Sequence, residues 1–175
     1  DSSTYIRAAA SDFAIGHELS APRKLSAIDI ALLAAMNVPK VHVFRKPIVA
    51  ILATGDELVM PGEEPSDDQI VASNALGLKG YFEQAGAQVR ILPIAKDSSE
   101  SLNSSIELAS GADILVTIGG ASVGDHDLVR HVMQELGLVQ SFYKVAMRPG
   151  KPLMAGKLGQ MPVVGLPGNP ISSIL

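Results

Sequence analysis

The sequence predicts an α/β fold: a three-layer α/β/α sandwich built on a mostly parallel sheet. Three observations carry that expectation. From Ile48 onward, short apolar runs alternate with amphipathic helical stretches, and such alternation requires crossover connections and parallel pairing. The run Ile48–Ala53 is continuously apolar, as suits a strand covered on both faces. Glycine-rich turns follow the strand patterns, above all at Thr117-Ile118-Gly119-Gly120-Ala121-Ser122-Val123-Gly124-Asp125-His126-Asp127. A strand, a glycine-rich turn and a helix start make an anion cradle, because the first N–H groups of a helix are unpaired and point outward.

The elements follow in order. Ser26 as N-cap and Asp29 at the third helical position open a helix with an apolar run over residues 28–36, stopped by Asn37 and Pro39. Val41-His42-Val43-Phe44 alternates like a strand, and Arg45-Lys46-Pro47 reads as a boundary. After the strand from Ile48 come Thr54-Gly55-Asp56-Glu57-Leu58 and a polar loop over residues 60–69. Ser73-Asn74 opens a helix with Ala75, Leu78, Phe82 and Ala85 on one face. Residues 88–94 read as a strand, and Asp97 with Glu100 as a capping-box start to the next helix. A strand over 114–118 leads into the glycine-rich turn, and a helix face follows at Val129, Val132, Met133 and Leu136. Residues 142–147 read as a strand, Arg148-Pro149-Gly150-Lys151-Pro152 as a rigid turn, and 153–155 and 161–164 as two short strands. In Gly165-Leu166-Pro167-Gly168-Asn169-Pro170, Asn169 is a good N-cap and Pro170 a good first helical residue.

Composition sets bounds. Hydrophobic residues make up 47% of the 175, ample for a core, and charged residues 18%, too few for disorder. A net charge of −4 gives no global drive toward nucleic acid. The absence of cysteine excludes disulfides, thiolate metal sites and cysteine nucleophiles, and fits a cytoplasmic protein. No apolar run is long enough to span a bilayer. The opening without an initiator Met, and a last stretch resembling the first turn of a helix, point to a piece of a longer protein.

Ligands of such sheets bind beyond the carboxyl ends of the strands. Thr54, Gly55 and Glu57, then Asp97, then Gly119–Asp127, then Arg148, Gly150 and Lys151, and finally Gly168 and Asn169 all fall there. Glu57, Asp97 and Asp127 are the acids suited to holding Mg²⁺ together with substrate phosphates; Asp97 fits helix capping equally well. Asp125 reads as a solvated neighbour and His126 as a loop residue. Lys144, Arg148 and Lys151 gather three cations around one turn, which suits an oxyanion or a phosphate. Ser122 and Ser172 can donate to an anion, and Gly119, Gly120 and Gly124 let the backbone come close to it. No nucleophile–histidine–acid constellation is present in the pattern, so the site reads as one of positioning and charge stabilisation.

Taken together, the segments 54–58, 119–127, 148–152 and 165–170 resemble molybdopterin molybdotransferase, the MoeA family that includes the gephyrin E domain. The resemblance covers residues 46–175 as a MogA-like molybdopterin-binding domain, truncated at its C-terminus. Residues 1–45 resemble the tail of the family's N-terminal region, a linker helix and strand. It implies insertion of molybdenum from molybdate into adenylated molybdopterin, with Mg²⁺ and release of AMP, in a cytoplasmic homodimer with no nucleic-acid or membrane partner. It implies catalytic roles for Asp127, Glu57, Asp97 and Ser122, with Mg²⁺ on the three acids. Substrate contacts fall to Thr54, Gly55, Gly119, Gly120, Gly124, Lys144, Arg148, Gly150, Lys151, Gly168, Asn169 and Ser172. Arg148 stands where the family more often has lysine. An adenylyltransferase of the MogA type and a non-catalytic molybdopterin-binding or scaffold module are the alternatives; the former typically carries a T-G-G-T-G sequence in place of Gly119-Gly120-Ala121-Ser122-Val123-Gly124.

Overall fold

The computed structural model describes residues 5–120 and 127–174. The chain divides into two compact units, the first ending at Phe44 and the second starting at Arg45.

In the first unit, helix α1 (Ala27–Ala35) is the regular element. Its start is the expected capping box. Ser26 Oγ accepts from the Asp29 N–H at 3.2 Å, and the Asp29 carboxylate accepts from the Ser26 N–H at 2.8 Å. Arg23 pairs with the same carboxylate at 3.0 Å. The strand expected at 41–44 does not form: among the described residues these have no strand partner, and Val43 and Phe44 are 71% and 95% exposed. An alternating pattern needs a neighbouring strand to satisfy its backbone, and here none is paired with it.

The second unit is the α/β domain. Its strands are β1 (Ile48–Ala53), β2 (Leu58–Val59), β3 (Ile70–Val71), β4 (Gln88–Ile91), β5 (Ile114–Ile118), β6 (Leu138–Tyr143), β7 (Met154–Leu158) and β8 (Met161–Leu166). Its helices are α2 (Asn74–Gln84), α3 (Ser99–Glu107), α4 (Leu128–Glu135) and α5 (Pro170–Ile174). The main sheet runs in the order β4-β1-β5-β8-β7-β6, and β2 pairs with β3 in a small parallel ladder. Strands β4, β1, β5 and β8 are parallel, while β7 is antiparallel to both β8 and β6.

Side-chain alternation on the central strands makes the layers. Ala50, Leu52 and Leu115 face a cluster with Leu102 and Ile106 of α3 and Val129, Val132 and Met133 of α4. Val49, Ile51, Val116 and Ile118 face Ala75 and Leu78 of α2. The helices thus cover both faces of a mostly parallel sheet, as the continuous apolar strands require.

The start of β1 is pinned by Asp113, whose carboxylate accepts from the Ile48 N–H at 2.7 Å and from both terminal nitrogens of Arg45. Several boundaries differ from expectation. Ser98, not Asp97, caps α3, its hydroxyl accepting from the Ser101 N–H at 3.2 Å. Ser73 sits at the N-cap of α2 without a side-chain bond. β4 stops at Ile91, followed by a lone bridge between Thr54 and Ala95. β6 begins at Leu138 and ends at Tyr143, because pairing with β7 fixes its register and Lys144 turns away with φ +66°. The loop at 60–69 is flanked by the β2–β3 ladder, which is too short to leave a periodic signal.

Candidate functional site

Parallel pairing brings the carboxyl ends of β1, β5 and β8 to one edge. The Thr54 N–H donates to the Ile118 carbonyl at 2.9 Å and the Gly119 N–H to the Leu166 carbonyl at 3.1 Å, which joins the three strand ends. The Gly55 N–H reaches the Ala95 carbonyl beyond β4 at 3.1 Å. β6 ends on the same edge, since Tyr143 pairs with Met154 and Met154 with Gly165. The segment 144–153, with Arg148, Gly150 and Lys151, therefore leaves from that edge too.

A cleft of about 220 Å³ opens there, lined among others by Thr54, Glu57, Asn74, Gly119, Gly168 and Pro170. Its floor is tight. Gly119 has φ +89°, and a Cβ on it would lie 2.6 Å from the Thr54 carbonyl oxygen. Gly120 has φ +67°, and its Cβ would lie 2.2 Å from Val129 Cγ2. Only glycine meets both demands, left-handed backbone and no room for a side chain. The Glu57 carboxylate folds back over Gly55, where a Cβ would come within 2.3 Å of Oε2. Thr54 is 1% exposed, and its hydroxyl has no hydrogen-bond partner among the described residues; the same holds for Thr117. A buried hydroxyl left unpaired beside a cleft is an available donor and acceptor for a bound molecule.

On the far side of the cleft, Asn74 Nδ2 donates to the Gly168 carbonyl at 2.7 Å, tying the start of α2 to the turn before α5. Asn169 caps α5 as expected, its Oδ1 accepting from the Ile171 N–H at 3.0 Å. Ser172 lies on α5 beside a second, more apolar cleft that Gly150 also lines. The Arg148–Pro149 peptide is cis, and Arg148 and Lys151 are exposed.

The acids are distributed along the edge. Glu57 and Asp97 are exposed, and the Asp97 N–H donates to Asp56 Oδ1 at 3.2 Å, so their loops adjoin. Asp127 is 8% exposed and caps α4, its Oδ1 accepting from the Arg130 N–H at 2.9 Å. Burial pushes the Asp127 carboxyl above its ordinary range, opposed by the Arg130 N–H, the Tyr143 hydroxyl and the charges of Arg130 and Lys144. Among the described residues, no three histidine, aspartate or glutamate side chains gather closely enough to hold a metal ion by themselves. Ser122 and Gly124, with Asp125 and His126, lie outside the described residues.

Thr54, Glu57, Gly119 and Gly168 thus meet in one cleft, while Asp97, Asp127, Lys144, Arg148, Gly150, Lys151 and Ser172 share its edge without lining it. Sequence reasoning missed Asn74, whose partner lies 94 positions away. It also missed Tyr143 and Arg130, which gather around Asp127; the only local signal was the three-residue spacing of Arg130 from its cap.

Fold and geometry together define an α/β domain of mostly parallel sheet whose candidate site lies on the carboxyl edge. The chain belongs to the family described as a probable molybdopterin binding domain, which matches residues 50–175. A molybdopterin molybdenumtransferase of Nostoc sp. is 39% identical over 176 residues, 98% of this chain and 40% of that protein. One from Haemophilus influenzae is 35% identical over 153 residues, 87% of this chain and 38% of that protein. The crystal structure of a molybdopterin biosynthesis MoeA protein of Pyrococcus horikoshii superposes with a TM-score of 0.77 at 39% identity, covering 86% of this chain and 37% of that one. The chain therefore spans about two fifths of the length of these relatives.

Proposed function

We propose that this domain forms the substrate-binding core of an enzyme that inserts molybdenum from molybdate into adenylated molybdopterin, releasing AMP, in molybdenum cofactor biosynthesis. The observation that carries the reading is the cleft where Thr54, Glu57, Gly119 and Gly168 meet at the carboxyl edge. Relatives named molybdopterin molybdenumtransferase, similar over most of this chain, support it.

In this reading the glycine floor and the unpaired Thr54 hydroxyl receive a phosphate of the adenylate. The Asn74–Gly168 bond keeps the opposite wall in place. Lys144, Arg148 and Lys151 attract molybdate and pterin phosphate to the same edge. Ser172 adds a donor from α5.

The donor chemistry fits Mg²⁺, because Glu57, Asp97 and Asp127 offer hard carboxylate oxygens. The acids are too dispersed for an all-protein cage, which suits a metal that keeps its waters and takes further ligands from substrate phosphates. When bound, Mg²⁺ supplies charge neutralisation at the phosphates. The working form is read as a cytoplasmic homodimer. No helix among the described residues is long and apolar enough to cross a membrane.

The test uses the full-length protein with adenylated molybdopterin, molybdate and Mg²⁺. Metal-dependent AMP release with formation of molybdenum cofactor is the expected result. Consumption of ATP with adenylation of the pterin would replace the reading by an adenylyltransferase. No turnover, with Asp127→Ala indistinguishable from wild type, would leave a binding module.

A further inference from the structure

The first turn of α2 opens into the same cleft as the glycine floor: Ser73, Asn74 and Ala75 line it together with Thr54 and Gly119. Its backbone donors are not all used. The Leu76 and Gly77 N–H groups both donate to the Ser73 carbonyl, at 3.1 and 3.2 Å. The amides of Ser73, Asn74 and Ala75 have no acceptor among the described residues. Ser73 has helical backbone angles, φ −87° and ψ −28°, and its side chain makes no capping bond. No acidic side chain stands in the first turn to take its place. Ala75 is 5% exposed, so its N–H is a buried donor that calls for a partner. The Thr54 hydroxyl makes the same demand on the floor. It is buried and unpaired, and a Cβ on Gly119 or Gly120 would lie 3.3 or 3.1 Å from its Oγ1. Gly168 separates the two sets of donors. Its carbonyl accepts from Asn74 Nδ2 at 2.7 Å, and a Cβ on it would stand 3.6 Å from Gly119 Cα.

We propose that the first turn of α2 is a second phosphoryl subsite beside the one at Gly119 and Thr54, so that the cleft reads a diphosphate and not a single phosphate. Free amides at the start of an 11-residue helix carry partial positive charge and point at an incoming anion. The cleft volume of about 220 Å³ falls short of the roughly 300 Å³ at which pockets begin to enclose a drug-sized ligand. It takes the linkage of the substrate and leaves the larger groups outside. Glu57 lines the cleft as well, and its carboxylate opposes an anion, so Mg²⁺ accompanies the ligand. The inference rests on the proposed reading in taking this cleft as the phosphate site. It deepens that reading, because joining AMP to the phosphate of molybdopterin makes a diphosphate.

The test titrates the full-length protein with inorganic pyrophosphate and with inorganic phosphate by calorimetry, at a fixed excess of Mg²⁺. Ser73 is exposed, so a larger side chain fits there. Ser73→Asp puts a carboxylate at the subsite, and Ser73→Asn has the same shape without the charge. Ser104→Asp puts that charge on the exposed side of α3. Wild type is expected to prefer pyrophosphate. Ser73→Asp weakens pyrophosphate about tenfold and phosphate by less than about threefold, since phosphate keeps the Gly119 and Thr54 side. The melting temperature of Ser73→Asp stays level or rises, because a carboxylate in the first turn suits the helix dipole. A merely structural role would not move binding and stability in opposite directions. In wild type the amide resonances of Ser73, Asn74 and Ala75 move further with pyrophosphate than with phosphate. In steady-state assays Ser73→Asp raises the KM for adenylated molybdopterin by the factor seen for pyrophosphate.

Ser73–Ala75 amides that do not respond to pyrophosphate, a Ser73→Asp variant that binds it as wild type does, or an equal loss in Ser73→Asn or Ser104→Asp would each overturn the inference. Should Ser73→Asp melt below wild type, the amide response of wild type decides. Pyrophosphate binding that depends on Ser73 without any AMP release supports the subsite and removes the proposed reaction. AMP release with the KM unchanged in Ser73→Asp leaves the reaction and removes the subsite.

Discussion

Replacing Gly119 by alanine tests the floor of the cleft. Two costs add. The residue has φ +89°, and an L side chain in the left-handed region costs about 1–2 kcal/mol. The new Cβ would lie 2.6 Å from the Thr54 carbonyl oxygen, a backbone atom already fixed by β1. Forcing it aside is an overpacking cost of about 1–3 kcal/mol. The expected loss is about 2–5 kcal/mol in all. Gly137→Ala is the matched control: φ is +91°, but nothing lies within 4 Å of the added carbon. It should lose only about 1–2 kcal/mol. Urea unfolding, with the slope shown to be unchanged, gives both values. Equal losses for the two variants would refute the claim that Gly119 is selected by its closeness to Thr54.

Further predictions follow from the same geometry. Thr54→Val removes a buried hydroxyl that has no partner among the described residues, so stability should hold or rise by up to about 1–3 kcal/mol while AMP release falls; calorimetric melting and the AMP assay check both, and a loss of stability would show that the hydroxyl is bonded. Asp113 is held down to about 2 from 3.8, first by hydrogen bonds from Arg45 and then by the Ile48 N–H. A depressed carboxyl gives stability that is fully present above its unfolded value and is lost as pH falls through the folded one. Asp113→Asn should therefore flatten the fall in stability between about pH 4 and pH 2, seen by urea unfolding at stepped pH, and an unchanged acid limb would contradict the assignment.

Much of the second unit was legible because its signals are local and redundant. The apolar run Ile48–Ala53, the helix face from Val129 to Met133 and the Asn169-Pro170 start of α5 each state one element in one window. Errors arose where tertiary pairing decides. Val41–Phe44 alternates but pairs with no strand among the described residues. β6 starts at Leu138 because β7 sets its register. Ser98 rather than Asp97 caps α3, and two adjacent residues with equal capping ability cannot be ranked without backbone angles. In the site, the common edge was readable from strand direction alone. The bond from Asn74 to Gly168 and the gathering of Arg130 and Lys144 over Tyr143 were not, since no sequence period connects them.

The central claim is that the carboxyl edge of the sheet receives the substrate phosphate. Backbone amide shifts on addition of AMP and Mg²⁺ test it most directly. The account predicts changes concentrated at residues 54–57, 119–120 and 168–169, at Asn74, and at Asp97 and Asp127 on the same edge. Changes concentrated instead at the opposite edge, around Arg45 and Asp113, would contradict it.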